Sequence, residues 1–515
     1  MINKEAKEFE RISTLYKVYS NYDVSGKRFG GKASYDGHLG GVPLAYDSEK
    51  KKVILDPTDT HTLVYGATGS KKTRAFVMPA IKILGQAGES MIINDTKGEL
   101  YERCSEELKE QGYRIITLNF RNPAEGNAWN PLYIPYQYYL KGDFDKAAEL
   151  ANDVASTLTQ SEISIKDPFW DYSSGDCLYG LILLLFRYCK EFREPEQWIT
   201  ISNLLFLRRK LFEQGTSYLW DWASEDELIA ASLSGSIGAA SDTQKSILAV
   251  FDQKMRCFSI QPALLDMLAN NNINIDSIGQ EKTAVFLITP DEKTTYHKLV
   301  ALFISQSYQY LVYKATQQDG RVPVRINYIL DEFSSLPAIG SDFPNMIAAA
   351  RSRNIRFSIV CQSKNQLIRR YKEEAATITA NCTNWIFFTS RELELLRELS
   401  ELCGQKHDRT PSVSVYDLQQ LDKDKNQALA FYGRMKPCIV NFLEIDAFGK
   451  ERKKSKIETP ERSKRVAMNL KELANKKRKE LLEKMNEEKE RKSSQEEAMK
   501  KLYPFEEECG KKTES

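Results

Sequence analysis

Histidine is scarce in this chain, four among 515 residues, and none of His38, His61, His297 and His407 stands at ligand spacing from another. A histidine-built metal centre is therefore not expected. The nine cysteines are scattered, odd in number and never spaced as C-x-x-C. That argues against a zinc site or disulfide frame and for reduced thiols in a cytoplasmic protein. Long apolar runs are missing too. The longest, CLYGLILLLF at 177–186, is about half the roughly 20 residues needed to cross a bilayer. It reads as a buried helix, and the chain as soluble. The first residues, MINKEAKEFERISTLYKVYS, are charged from the start and lack a secretory pattern. There is no internal repeat, and almost no net charge: 73 Lys+Arg against 71 Asp+Glu give +2. No global attraction to nucleic acid or anionic lipid follows from that balance. The charge is unevenly placed, however. Residues 450–515 carry 21 basic and 15 acidic side chains, net +6, which leaves the rest at −4.

What is present is an alternation. Residues 1–60 are polar and glycine-containing and read as loops and short strands. Short β-rich runs follow at 62–66, 90–95 and 113–119, separated by helical patterns such as GELYERCSEELKEQ. Strands alternating with helices predict a parallel sheet covered by helices. From about 140 to 275 the periodicity is helical throughout, which predicts a helical insertion between strands. Strand runs return at 284–290, 325–333, 357–363 and 384–390, and ALAFYG with PCIVNFLEI reads as a closing hairpin. The expected division is an N-terminal segment to 60, a nucleotide-binding part at 61–140, an all-α part at 141–275, the second nucleotide-binding part at 276–448 and a charged tail at 449–515. Residues 466–502 could form a helix, without enough apolar surface for a core of their own. Such a tail reads as a solvated face, a phosphate-backbone contact or a docking segment.

Four stretches can carry chemistry. The first is Gly66-Ala67-Thr68-Gly69-Ser70-Lys71-Lys72-Thr73, close to the phosphate-loop pattern G-x-x-x-x-G-K-[ST]. A strand, a glycine-rich turn and a helix start wrap backbone N–H groups around phosphates at the positive end of the helix dipole. Lys72 is placed to reach the β- and γ-phosphates of ATP, and Thr73 to hold Mg²⁺. Lys71 occupies the position where the pattern has glycine, and its bulk is the difficulty. The second stretch is INYILDE, 326–332. Asp331 at the end of an apolar strand suits the Mg²⁺ shell, and Glu332 suits orienting and deprotonating the attacking water. The third is Gln362, ending the strand FSIVCQS, a candidate sensor of the γ-phosphate. The fourth is Arg351 or Arg353, either of which could project across a subunit boundary to stabilise phosphate charge.

These stretches occur in order with DTKGELY, NAWNPL, DPFWDYSSGDCL, LDEFSSLP, RSRNIRFSIVCQSKNQL and NCTNWIFF…ELSELCGQ. The set resembles the type IV secretion coupling proteins, the TraG/TraD-like conjugative DNA-transfer ATPases, over about residues 40–445. DTKGEL and NAWNPL separate it from generic phosphate-loop proteins, and from the related FtsK and HerA pumps. The resemblance implies a RecA-like nucleotide-binding domain interrupted by an all-α, substrate-selecting domain. It implies a homo-hexameric ring with ATP at subunit boundaries, a relaxase bound to single- or double-stranded DNA as cargo, and type IV secretion channel components as partners. Most members carry N-terminal transmembrane helices, which this sequence lacks. That implies docking on a membrane-anchored partner at the inner face of the cell membrane. Two readings remain at this stage: an ATP-driven DNA-transfer motor, or a non-hydrolysing receptor whose phosphate loop is impaired by Lys71.

Overall fold

The computed structural model of the chain describes residues 12–34, 36–160, 168–213, 217–290, 296–340, 342–449 and 455–502. Two sheets organise it. The smaller is antiparallel, formed by β1 (Ser20–Asp23), β2 (Arg28–Gly31), β3 (Val42–Asp47) and β4 (Lys52–Asp56) in the order β2-β1-β4-β3. The glycine-containing stretch read as loops and short strands thus forms a sheet of its own.

The larger sheet has nine strands: β5 (His61–Tyr65), β6 (Ser90–Asp95), β7 (Arg114–Asn119), β8 (Thr283–Ile288), β9 (Ile326–Leu330), β10 (Ile355–Cys361), β11 (Cys382–Phe387), β12 (Gln427–Tyr432) and β13 (Cys438–Asn441). Their order is β13-β12-β11-β5-β10-β9-β6-β8-β7. The seven strands from β11 to β7 are mutually parallel, and β12 and β13 close the sheet as an antiparallel hairpin. Both faces are buried, which is why the strands read as continuous apolar runs. Alternate residues feed two cores. Leu63, Ile92, Tyr328 and Phe357 point to one; Val64, Ile93, Ile329 and Val360 point to the other. The second core is completed by helices Met78–Ala87 and Glu99–Glu110 and by Leu44 and Ile54 of the small sheet.

Neighbouring strands β7 and β8 pair in parallel, yet more than 160 residues separate them. Ten α-helices, from Tyr133–Lys141 to Asp276–Gln280, fill that crossover among the described residues. The apolar run at 177–186 lies within helix Phe169–Glu191 with nearly every side chain buried. No helix among the described residues is long and apolar enough to cross a membrane. The eight described cysteines are free, and no cluster of three or more His, Cys, Asp or Glu side chains that could hold a metal ion occurs among the described residues.

The charged tail has two parts. Residues 455–470 run without helix across the body, and Lys471–Leu502 is one long helix; residues 450–454 and 503–515 lie outside the description. The non-helical part is docked. The Arg462 guanidinium donates to the carbonyls of Pro123 and Gly126 at 2.5 and 2.9 Å, Arg465 pairs with Asp266 at 2.6 Å, and Met468 and Leu470 are buried. Beyond Leu473 the helix contacts the body through Lys476–Glu191 and Lys477–Glu225 ion pairs.

Candidate nucleotide-binding site

In a parallel sheet, ligands are bound outside the carboxyl ends of the strands. There β5 ends in the Gly66–Thr73 loop, β9 ends in Asp331-Glu332, and β10, lying between them, ends before Gln362. The strand order brings the three stretches into one crevice although up to 296 positions separate them.

The loop is pinned to its neighbours. The Gly66 N–H donates to the Cys361 carbonyl at 3.1 Å and the Ala67 N–H to the Thr389 carbonyl at 2.7 Å. Gly66 must be small, because a Cβ there would stand 2.5 Å from Ser70 Oγ and 3.0 Å from Lys72 Cγ. Gly69 and Lys71 both adopt left-handed backbone, with φ of 76° and 66°. A wide helical turn, Thr73–Val77, then leads into helix Met78–Ala87.

Adjacent lysines part company. Lys72, 5% exposed, folds inward and its Nζ donates to the carbonyls of Gly66 at 2.6 Å and Ala67 at 3.3 Å. Lys71 turns the other way, and its Nζ meets Glu444 Oε1 at 2.5 Å. Arg74 reaches the same Glu444 at 3.5 Å and also pairs with Asp446. The Lys71 hydrogen bond, ahead of other causes, holds the Glu444 carboxyl below its usual range. The side chain that the sequence places in the way of phosphate is therefore outside the loop. Its backbone cost remains, about 1–2 kcal/mol for a residue with a Cβ in left-handed conformation.

Across the crevice, Thr73 Oγ1 donates to Asp331 Oδ2 at 2.9 Å. Asp331 is 4% exposed, and its backbone carbonyl accepts from Asn94 Nδ2 at 2.6 Å. Burial first, then the neighbouring Glu332 charge, raises its carboxyl to about 6, against the opposing pull of Thr73 and Lys72. Glu332 is left-handed (φ 53°), which turns its carboxylate out of the strand direction. Its Oε2 accepts from Gln362 Nε2 at 2.6 Å, while Gln362 Oε1 accepts from Thr68 Oγ1 at 3.0 Å. A hydrogen-bonded chain thus links the loop, the strand between and the acidic pair.

These residues fit a magnesium nucleotide. Ser70 Oγ is buried with no hydrogen-bond partner among the described residues, an orphaned group inside the loop. Thr73 and Asp331 offer a hydroxyl and a carboxylate, the hard oxygen donors that suit Mg²⁺. Lys72 supplies charge beside them.

Arg351 and Arg353 are elsewhere. Both sit in the three-residue turn before β10, hence at the amino-end edge of the sheet. Seven residues of strand, roughly 20 Å at about 3.3 Å each, separate that turn from Gln362. Arg351 is bound to Asp59 at 3.2 Å. Within one chain neither arginine reaches the crevice.

Sequence reasoning missed Asn94, Thr389 and Glu444. Asn94 immediately precedes DTKGEL and was within sight; Glu444 carries no local signal. DTKGEL and NAWNPL are architectural here. Asp95 accepts from the N–H groups of Gly98 and Tyr101, both at 2.8 Å, and so caps helix Glu99–Glu110; burial raises its carboxyl to about 6. Asn127 Oδ1 accepts from the Thr117 N–H at 2.9 Å, and Asn130 Nδ2 donates to the Ile199 carbonyl at 2.6 Å, fixing the exit from β7 into the helices.

Solved structures with the same architecture include an unbound form of the bacterial conjugative coupling protein TrwBdeltaN70, 18% identical over 79% of this chain and 90% of that one, with a TM-score of 0.53. Two others are the plasmid coupling protein TrwB with the non-hydrolysable GTP analogue GDPNP (15% identity, 78% and 89% covered, TM-score 0.54) and TrwB with ADP and Mg²⁺ (16%, 78% and 91%, TM-score 0.51). At these identities the likeness is one of fold. No curated protein matches the chain. A family model described as type IV secretory system conjugative DNA transfer matches residues 17–435, and the chain belongs to that family.

Proposed function

We propose that the chain is the coupling ATPase of a conjugative type IV secretion apparatus, which binds ATP with Mg²⁺ and uses its hydrolysis to move relaxase-bound DNA to the channel. The observation that carries this is the 2.9 Å hydrogen bond from Thr73 to Asp331 beside a buried Lys72. It joins the two halves of a magnesium-nucleotide site from segments 258 residues apart.

In this reading Lys72 leaves the Gly66 and Ala67 carbonyls for the β- and γ-phosphates, and the loop N–H groups with Ser70 Oγ line the remaining oxygens. Thr73 and Asp331 hold Mg²⁺, which neutralises developing phosphate charge when bound. Glu332 orients the attacking water and accepts its proton, and Gln362, already on Glu332, reports the γ-phosphate through Thr68. Arg351 or Arg353 acts on the site of the next subunit, since within one chain both lie at the far edge. That requires a ring, taken as a homo-hexamer. Residues 61–140 and 276–448 are the nucleotide-binding domain, and 141–275 the all-α domain that selects cargo. A membrane-anchored partner holds the assembly at the inner face of the membrane.

The receptor reading rests on steric damage by Lys71, and the Lys71 ammonium lies against Glu444 instead. The test is ATP hydrolysis with and without DNA. The expected result is DNA-stimulated turnover that Glu332→Gln abolishes while nucleotide binding survives. Equal turnover in that variant would remove Glu332 from the mechanism, and no turnover in the unaltered chain would restore the receptor reading.

A further inference from the structure

Two adjacent lysines follow Ser70, and only Lys72 has an inward place. Lys71 carries two liabilities. Its backbone is left-handed at φ 66°, where a side chain is unfavourable. Its ammonium, if loose at the mouth of an anion-binding loop, would fold over the loop or compete with Lys72 for the same oxygens. Neither liability is answered by the loop itself. The answer comes from the segment after β13, where Glu444 receives Lys71 at 2.5 Å and Arg74 of the following helical turn at 3.5 Å. Asp446 takes a second bond from Arg74. Both members of the Lys71–Glu444 pair are about a quarter exposed, 29% and 24%, so the contact is shielded on most sides.

We propose that Glu444 is a positioning residue for the nucleotide site: it draws Lys71 out of the phosphate path and offsets the strain of a non-glycine residue at that point of the loop. This rests on the nucleotide-binding reading given above and names the feature that lets this chain keep it with lysine in a glycine position. The loop without Glu444 relaxes at Lys71, and the N–H groups that face phosphate lose their common direction. Glycine at 71 needs no such help, because it adopts the left-handed conformation freely and has no side chain to place.

The dependence of Glu444 on the residue at 71 gives the test. Binding of a fluorescent ATP analogue with Mg²⁺ is measured for the unaltered chain, Glu444→Gln, Lys71→Gly and the double variant. The expected result is binding about tenfold weaker in Glu444→Gln, restored in the double variant to within a few-fold of the unaltered chain. In turnover the same loss falls on KM for ATP, with kcat at saturation kept. A misfolded Glu444→Gln would not be rescued by a second substitution, so rescue separates positioning from general damage. Unchanged binding in Glu444→Gln overturns the proposal, as does a double variant that stays weak. Binding by Lys71→Gly alone, with none by the unaltered chain, overturns it too, since Lys71 would then block despite Glu444. If none of the four binds, Lys71→Gly included, the nucleotide site itself fails and the proposal with it.

Discussion

The two edges of the large sheet are built from the same kinds of residue and behave differently. At the amino-end edge, Arg325 and Arg356 are 1% and 2% exposed, and Glu89 is 2% exposed. Arg356 pairs with Glu89 at 2.5 Å and donates to the carbonyls of Asp56 and Thr58 and to Asn327; Arg325 donates to Asn354 and the Pro57 carbonyl. These bonds tie the small sheet's exit, β6, β9 and β10 together. At the carboxyl-end edge the buried charges rest on neutral groups. Asp331 is buried with its ionised form disfavoured, Ser70 Oγ has no partner among the described residues, and Lys72 rests on carbonyls. A buried charge held by opposite charges locks a fold, whereas one that meets only hydroxyls and backbone retains capacity for a charged ligand.

Damage at the locked edge should give the largest effect. Glu89→Ala leaves the buried Arg356 guanidinium without its carboxylate and Arg325 with Asp36 alone, and loss of one partner of a buried pair costs about 3–5 kcal/mol. A fall of the denaturant midpoint is expected, and an unchanged midpoint would mean the network contributes no net stability. At the other edge, Glu332→Gln should lower ATP turnover about 100-fold or more while leaving the midpoint near that of the unaltered chain. A matching fall in stability would erase the contrast between the edges.

The pH dependence of Mg²⁺-nucleotide binding sharpens it. Folded Asp331 takes up its proton near pH 6, and the unfolded chain near 3.8. Its burial therefore weakens the folded state above about pH 6, and that penalty fades as pH falls towards 3.8. Metal needs the carboxylate, so affinity should rise through pH 6, by about tenfold between pH 5 and 7. Asp331→Asn should flatten the profile; a slope unaltered by that change would assign the titration to another group. The smallest effect belongs to the docked tail. Arg462→Ala should cost about 1 kcal/mol and increase proteolytic cleavage within 455–470, with turnover kept.

Legibility in the sequence follows the range of the determining interactions. Strands β5 to β13 were visible because each is a run of apolar residues bounded by turns, and the helical crossover because its periodicity is sustained. Lys72, Thr73, Asp331, Glu332 and Gln362 were singled out because a phosphate loop and an acidic strand end are local patterns, and the strand order brings them together. The small sheet was missed as a sheet because its strands are only four to six residues long. Glu444 was invisible because its partner Lys71 lies 373 positions away. The tail was read by its charge, whereas Arg462 and Met468 act through single contacts that composition does not register. Lys71 is the clearest instance: the pattern marks it as a defect, and only its φ and its distant partner say where its side chain goes.

Whether a loop with lysine at 71 accepts a nucleotide separates a motor from an idle fold, and the most direct measurement is equilibrium binding of a fluorescent ATP analogue with Mg²⁺ to the unaltered chain and to Lys72→Ala. Micromolar binding by the first and its loss in the second is the expected result. Equal, negligible binding by both would contradict it and leave a fold that has kept the shape of a nucleotide site without its use.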